Sequence, residues 1–181
     1  EIPTADPFPS PGDIDNTPAE LPEDVQIYRD ENEMFALALP SGYEFETLDE
    51  GMTFQSGDRG FGGDVQYQTT TTENLATDEL ETLLKETLQI QFTDLTWQSD
   101  SQLQTDGSLR LEWTGKDEDG NQLDGLSFIE QHGDTIFFLD AYGINQPYRN
   151  YNDDARIIVG TYVVRQGGPQ NDENEGASDP G

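Results

Sequence analysis

The sequence of 181 residues contains no cysteine, one histidine and only eight lysine and arginine residues. Without cysteine the chain cannot form disulfides, use a thiolate nucleophile or bind zinc through sulfur. No stretch approaches the roughly 20 consecutive apolar residues that a membrane-spanning helix needs. The chain begins at Glu1 without a signal peptide, so we expect it to be a processed product or a fragment of a longer protein.

Acidic residues are abundant where basic ones are scarce. There are 38 aspartates and glutamates, and the formal net charge is −30. Residues 25–165 hold all eight basic residues and 27 of the acidic ones, a net charge of −19. Such a charge opposes binding to nucleic acid phosphates or to an anionic membrane surface. Two interpretations stay open: a solvated surface adapted to high salt, or a surface that faces a cationic partner.

Composition divides the chain into three parts. Residues 1–24 contain six prolines and seven acids with almost no large apolar residues, and residues 166–181 have a similar polar, acidic character. Segments of this kind bury too little apolar surface to offset the entropy of ordering. We therefore predict a disordered Pro-rich acidic linker over 1–24, one folded domain over 25–165 and a disordered acidic tail over 166–181.

Hydrophobic periodicity predicts the elements of the folded part. The segment 78–92 has the apolar spacing of an amphipathic helix, with Thr77 as its N-cap, and a second helix is predicted over 147–163, where Pro147 suits the first turn. Period-two alternation predicts the strands, which cover 25–30, 33–40, 43–47, 51–56, 64–71, 94–100, 108–115, 123–131 and 135–143. This order predicts an α+β fold, in which a central antiparallel sheet of about six strands carries helices on its faces.

Particular segments of this order resemble the PsbP family. They are FALALPSGYEF at 35–45, the central helix, TIFFLDAYG at 135–143, and the last helix with PYRNY and IIVGTYVV. That family includes the extrinsic lumenal subunit of photosystem II and shares its fold with the Ran-binding Mog proteins. The resemblance spans about residues 25–165. It implies an α/β/α sandwich and an accessory or interaction role without catalysis, and it carries over no site residues.

The acidic turn between two predicted strands is the one candidate metal site. Hard cations such as calcium bind several oxygen ligands from a short turning loop. The loop is not an EF-hand, because the acid spacing differs, the glutamate at its twelfth position is missing and strands flank it. A weak calcium site and a plain hairpin turn are the two interpretations, and the candidate ligands are Asp117, Asp119, Asn121 and Asp124.

The glycine-rich loop at 57–63 lacks the residue order of a phosphate-binding loop and leads into a strand. Arg59 and an exposed Phe61 are candidate partner-binding residues there, and packing of Phe61 beneath the loop is the alternative. His132 is predicted to lie exposed in a hairpin turn, so no catalytic residue is assigned. No cofactor is indicated apart from the weak calcium site.

These observations favour a non-enzymatic interaction or sensory-accessory domain with a protein partner. We expect it outside the cytoplasm, in the periplasm, a thylakoid lumen or the extracellular space, tethered through the Pro-rich linker to a membrane anchor or larger protein. A lumenal photosystem II accessory protein is one alternative. A carboxylate- or cation-dependent hydrolase is the other, and a deep pocket with two convergent carboxylates would support it.

Overall fold

The computed structural model describes residues 22–165, so most of the predicted linker and the whole predicted tail lie outside the described residues. No helix in the described part is long and apolar enough to cross a membrane. The elements are β1 Gln26–Arg29, β2 Phe35–Leu39, β3 Glu44–Leu48, β4 Gly51–Gln55, β5 Phe61–Thr69, α1 Thr77–Gln91, β6 Thr93–Trp97, β7 Gln102–Leu103, β8 Leu109–Lys116, β9 Gln122–His132, β10 Thr135–Ile144, a 3-10 helix Tyr148–Tyr151, α2 Asn152–Thr161 and β11 Val163–Val164.

Two antiparallel sheets hold the strands. The large sheet has eight strands in the order β3-β4-β5-β10-β9-β8-β6, with β7 also paired to β8, and the small sheet has the order β1-β2-β11. The predicted α+β class with a central antiparallel sheet is therefore confirmed. The predicted number of about six strands is too low. Strand β7 has only two residues, which is too short for an alternating pattern to appear in the sequence.

The first helix agrees with its prediction to within one residue at each end. Its apolar face buries Leu80, Leu84 and Leu88. The N-cap is Ala76 and not the predicted Thr77, because the Ala76 backbone N–H donates to the Glu79 carboxylate at 2.9 Å. This side chain satisfies a backbone donor that the helix itself leaves free.

The second helix is shorter than predicted. A 3-10 helix follows Pro147, α2 itself begins at Asn152, and the chain leaves the helix after Thr161. Val163 and Val164 then pair with β2 instead of extending the helix. The apolar residues keep a helical spacing up to the end of α2. The two valines that follow are β-branched and favour a strand, and their backbone forms hydrogen bonds with the edge of β2.

Each face of the large sheet has its own core. One face packs against α1, and its core contains Leu84, Leu88, Trp113 and Phe138. The opposite face packs against α2 and the small sheet. Helix α1 contacts β6, β8 and β9, so it covers only one half of its face of the sheet. Within residues 22–165 no helix covers the other half, which β3, β4 and β5 form.

Candidate functional site

An open groove lies on the uncovered half of the large sheet. The pairing register places Glu44 opposite Gln55 and Glu46 opposite Thr53, so these four side chains point to the same face. Tyr142 of β10 lines the groove together with them. The volume of the groove is about 400 Å³. The side chains that this face presents here are mostly polar. The groove is thus a concave polar surface with two glutamates at one side.

Strand β3 forms the outer edge beside this groove. All five of its residues are exposed, including Phe45 at 47% and Leu48 at 38% of their surface. The ring of Phe45 contacts the ring of Tyr28 edge-on, with 5.2 Å between centroids. This contact fixes the Phe45 side chain on the face of the sheet opposite the groove. Within residues 22–165 no strand pairs with the outer side of β3. Free edges of this kind readily accept a further strand.

The glutamates of β3 have no basic counterpart. Within the described part of the chain, neither Glu44 nor Glu46 forms an ion pair. Unpaired carboxylates along a concave surface produce a negative potential that attracts cationic groups. The groove and the β3 edge together therefore suit a positively charged segment.

A pair of buried acids lies next to the groove. Asp64 of β5 and Asp140 of β10 stand directly opposite each other, and only 4% and 1% of their surfaces are exposed. Thr53, which lines the groove, is the neighbour of Asp64 on its other side. Burial raises the pKa of Asp64 well above its usual value, and the facing Asp140 carboxylate raises it further. Burial also raises the pKa of Asp140.

A hydrogen-bond relay determines where the proton of this pair lies. The indole N–H of Trp113 can only donate, and it donates to the Ser127 hydroxyl oxygen at 2.9 Å. The Ser127 hydroxyl in turn donates to Asp140 Oδ1 at 2.5 Å. Asp140 is therefore the acceptor, and the remaining proton belongs on Asp64, whose Oδ1 accepts from the Gln66 amide at 3.0 Å.

Two convergent carboxyl groups are the feature that would favour a hydrolase, but neither is reachable. Asp64 and Asp140 are almost completely enclosed, and neither lines the groove. A general acid or base must come within hydrogen-bond reach of the substrate. In this conformation the pair is a structural element of the sheet.

In the acidic turn, the side chains of two of the four candidate ligands meet, since the Asn121 amide donates to Asp117 Oδ2 at 2.9 Å. Asp117 Oδ1 accepts hydrogen bonds from the backbone N–H groups of Asp119 and Asn121, both at 2.9 Å. Partial burial alone would raise the pKa of Asp117, but hydrogen bonds led by that from the Asn121 side chain hold it below its usual value. Asp124 instead accepts from the backbone N–H of Tyr148 at 2.7 Å. Within residues 22–165, no group of three histidine, cysteine, aspartate or glutamate side chains is placed to hold a metal ion. The weak calcium site stays a prediction.

In the glycine-rich loop the structure agrees with the second interpretation, packing of Phe61 beneath the loop. Phe61 is fully buried, with its ring stacked on Tyr151 at 5.1 Å, so it is not the exposed anchor considered above. Asp58 holds the loop by accepting hydrogen bonds from Ser56 at 2.7 Å and from the Tyr151 hydroxyl at 2.8 Å. Arg59 remains exposed at the tip of the loop, and its role in partner binding stays a prediction.

His132 occupies the last position of β9 instead of the turn, and it is half-buried. Its Nε2 lies 2.9 Å from Glu130 Oε1. The neighbouring carboxylate orients the ring within the protein.

Sequence reasoning missed both Asp64 and Asp140. The signal was present, because each acid interrupts a strand whose neighbours are apolar, in GGDVQY and FFLDAY. An acid at an inward position of a buried strand needs a partner. Its partner lies 76 residues away along the chain, so only the register of β5 with β10 reveals the pair.

Known structures share this fold at low sequence identity. The solution structure of cyanobacterial PsbP (CyanoP) from Synechocystis sp. PCC 6803 matches with a TM-score of 0.58 and 12% identity, covering 78% of this chain and 92% of that one. The Ran-binding protein Mog1p of Saccharomyces cerevisiae matches with a TM-score of 0.57 and 9% identity, covering 79% and 96%. The PsbP/Mog1-like fold is therefore confirmed. No protein-family profile and no curated protein matches the sequence.

Proposed function

We propose that this domain binds a protein partner through the β3 edge and the acidic groove beside it, and that the bound segment is extended and positively charged. The observation that carries the proposal is the uncovered half of the large sheet. It combines a free edge strand, a concave surface and two unpaired glutamates in one place.

Three contacts would form in such a complex. The partner backbone would pair with β3 and extend the sheet, which is a recurring mode of peptide recognition. Lysine or arginine side chains on the groove side would meet Glu44 and Glu46. An apolar side chain on the opposite side of the partner strand would lie against the exposed part of Phe45. The net charge of −30 would add long-range attraction for the same partner.

The shared fold supports binding as a function without identifying the partner. Mog1p is a Ran-binding protein, so this architecture can serve protein recognition. At 9% identity, the shared fold does not indicate that this chain binds Ran. The partner chemistry proposed here rests on the charge and exposure of β3 alone.

Peptide binding tests the proposal directly. Short peptides that alternate lysine with valine should bind, and peptides that alternate glutamate with valine should not. Amide chemical shifts should move along β3 and β4. The double variant Glu44→Lys and Glu46→Lys should lose binding of the lysine peptide.

The matched control makes the same change in net charge at two glutamates outside the groove. Glu86 on α1 and Glu118 in the β8–β9 turn are exposed, so Glu86→Lys with Glu118→Lys should retain most of the affinity. Equal loss in both double variants would show that only the net charge matters. Absence of any shift change along β3 with the lysine peptide would refute the docking site.

The Pro-rich acidic composition of residues 1–24 supports a second part of the proposal, that the domain is tethered outside the cytoplasm. A compartment-dependent reporter fused to the product of the full reading frame tests this part. Activity of a reporter that works only in the cytoplasm would contradict it.

A further inference from the structure

The pairing of β5 with β10 is the seam of the large sheet. On one side of it lie β8, β9 and β10 with their helix-covered core, and on the other side lie β3, β4 and β5 without a covering helix. The seam runs through nine residue pairs, and Asp64 opposite Asp140 is one of them. The core on the opposite face continues across the seam through Val65 and Leu139, so the acid pair adds to that attachment of the uncovered half on the α1 side.

Both acids lie in an environment without positive charge. Within residues 22–165, no lysine, arginine or histidine forms an ion pair with either of them. Two like charges enclosed side by side without a counter-ion cannot both be stable. A single proton removes this conflict, because protonated Asp64 can donate to the Asp140 carboxylate that Ser127 already orients.

We propose that Asp64 and Asp140 form a one-proton lock across the β5–β10 seam, which holds the uncovered half of the sheet while the pair keeps its proton and loosens it when the proton is lost to solvent. The lock rests on the burial and the relay, and it does not depend on β3 being a docking edge.

The surrounding groups leave the pair as the dominant titrating element. The titratable side chains on this face are Glu44 and Glu46 of β3, both exposed, and Tyr142 of β10, whose pKa burial and the two acids raise. The groups next to the pair by strand register or hydrogen bonding are uncharged, namely Thr53, Gln66, Ser127 and the amide of Gln91. Burial, followed by the charges of Glu130 and Asp140, raises the pKa of Tyr162, and the charge of Asp117 adds to the raised pKa of Tyr142.

The direction of the pH effect follows from the raised pKa of Asp64. Above the ordinary carboxyl pKa the unfolded chain has released this proton, while the native state still binds it. The contribution of the pair to the stability of the seam is therefore complete below the ordinary carboxyl pKa of about 4. It falls as pH rises toward the pKa of the native pair, and the opening equilibrium grows by up to about tenfold per pH unit for one proton.

Hydrogen exchange on the purified chain tests the lock. After correction for intrinsic exchange, protection of the Val65 and Leu139 amides, which flank the pair across the seam, should fall as pH rises. Amides of Leu111 and Ile129 in the covered half should change much less. Asp64→Asn imitates the protonated acid with an amide donor, so its seam protection should stay flat with pH. Asp100→Asn, an exposed matched change, should behave as the unmodified protein does.

Two further measurements keep the proposal testable if Asp64→Asn fails to fold. A carbon-13 titration of the unmodified protein should find one of the two carboxyls protonated above the ordinary range. Thr53→Lys places a cation beside Asp64 and should lower the pH at which that proton leaves, whereas Thr105→Lys in the distant β7–β8 turn should not. The lock is overturned if both carboxyls titrate near about 4, or if seam protection in the unmodified protein does not vary with pH.

Discussion

Replacing Gly125 by alanine should disrupt the centre of the helix-covered core. Gly125 lies on β9 directly opposite Trp113, whose indole ring crosses over it. A Cβ atom added at Gly125 would come within 2.4 Å of two ring carbons of Trp113. The ring has little room to move, because it is fully buried and stacked on Phe92 with 5.1 Å between centroids.

The expected loss of stability has two parts. Forcing an extra methyl group into a packed core typically costs about 1–3 kcal/mol. Movement of the indole would also lengthen the bond from Trp113 Nε1 to Ser127, which adds about 1 kcal/mol. A total of about 2–4 kcal/mol is a large share of the roughly 5–15 kcal/mol that stabilises an ordinary domain.

Urea unfolding followed by far-ultraviolet circular dichroism and tryptophan fluorescence measures this loss. Gly160→Ala is the matched control, since Gly160 lies in α2 with no atom within 4 Å of an added Cβ. That change should stabilise the protein by up to about 1 kcal/mol, because alanine favours the helix over glycine. If the free energy of unfolding of Gly125→Ala lies within about 0.5 kcal/mol of that of the unmodified protein, the described packing of Trp113 over β9 is incorrect.

Three other substitutions follow from single contacts. Ser127→Ala leaves the Trp113 N–H and an Asp140 oxygen buried without partners, so it should cost about 2–4 kcal/mol in urea unfolding; a neutral result would contradict the relay. Thr161→Val removes the hydroxyl that accepts the Ala38 N–H at 2.8 Å, and should cost about 1–2 kcal/mol and speed hydrogen exchange at Ala38; unchanged exchange there would argue against the contact. Asp58→Asn should lower the free energy of unfolding at neutral pH, because the Ser56 hydroxyl and other donors stabilise the charged carboxylate and lower the pKa of Asp58. This contribution is lost as pH falls through that lowered pKa, so the difference in unfolding free energy between the variant and the unmodified protein should become smaller in acid. A difference that stays constant in acid would refute the prediction.

Local patterns in the sequence were sufficient for most of the secondary structure. Helix α1 was predicted almost to the residue, because its leucines at spacings of three and four leave one apolar face. The last helix, predicted over 147–163, is too long at both ends, since Tyr148–Tyr151 form a 3-10 helix and Val163 pairs with β2 as a strand. The sequence left open whether Phe61 is exposed or packed beneath its loop, and the structure shows it buried. The ring reaches Tyr148 and Tyr151, which lie far along the chain.

The sequence by itself determined the α+β class, the acidic surface and the absence of cysteine chemistry, because composition and short-range periodicity encode these properties directly. Only the tertiary structure decided where α1 stops covering the sheet, which strand is left as a free edge and which acids meet. Those features depend on the order and register of strands distant in the chain. Asp64 and Asp140 are two ordinary acids in the sequence, and they become a buried pair only because β5 and β10 align them.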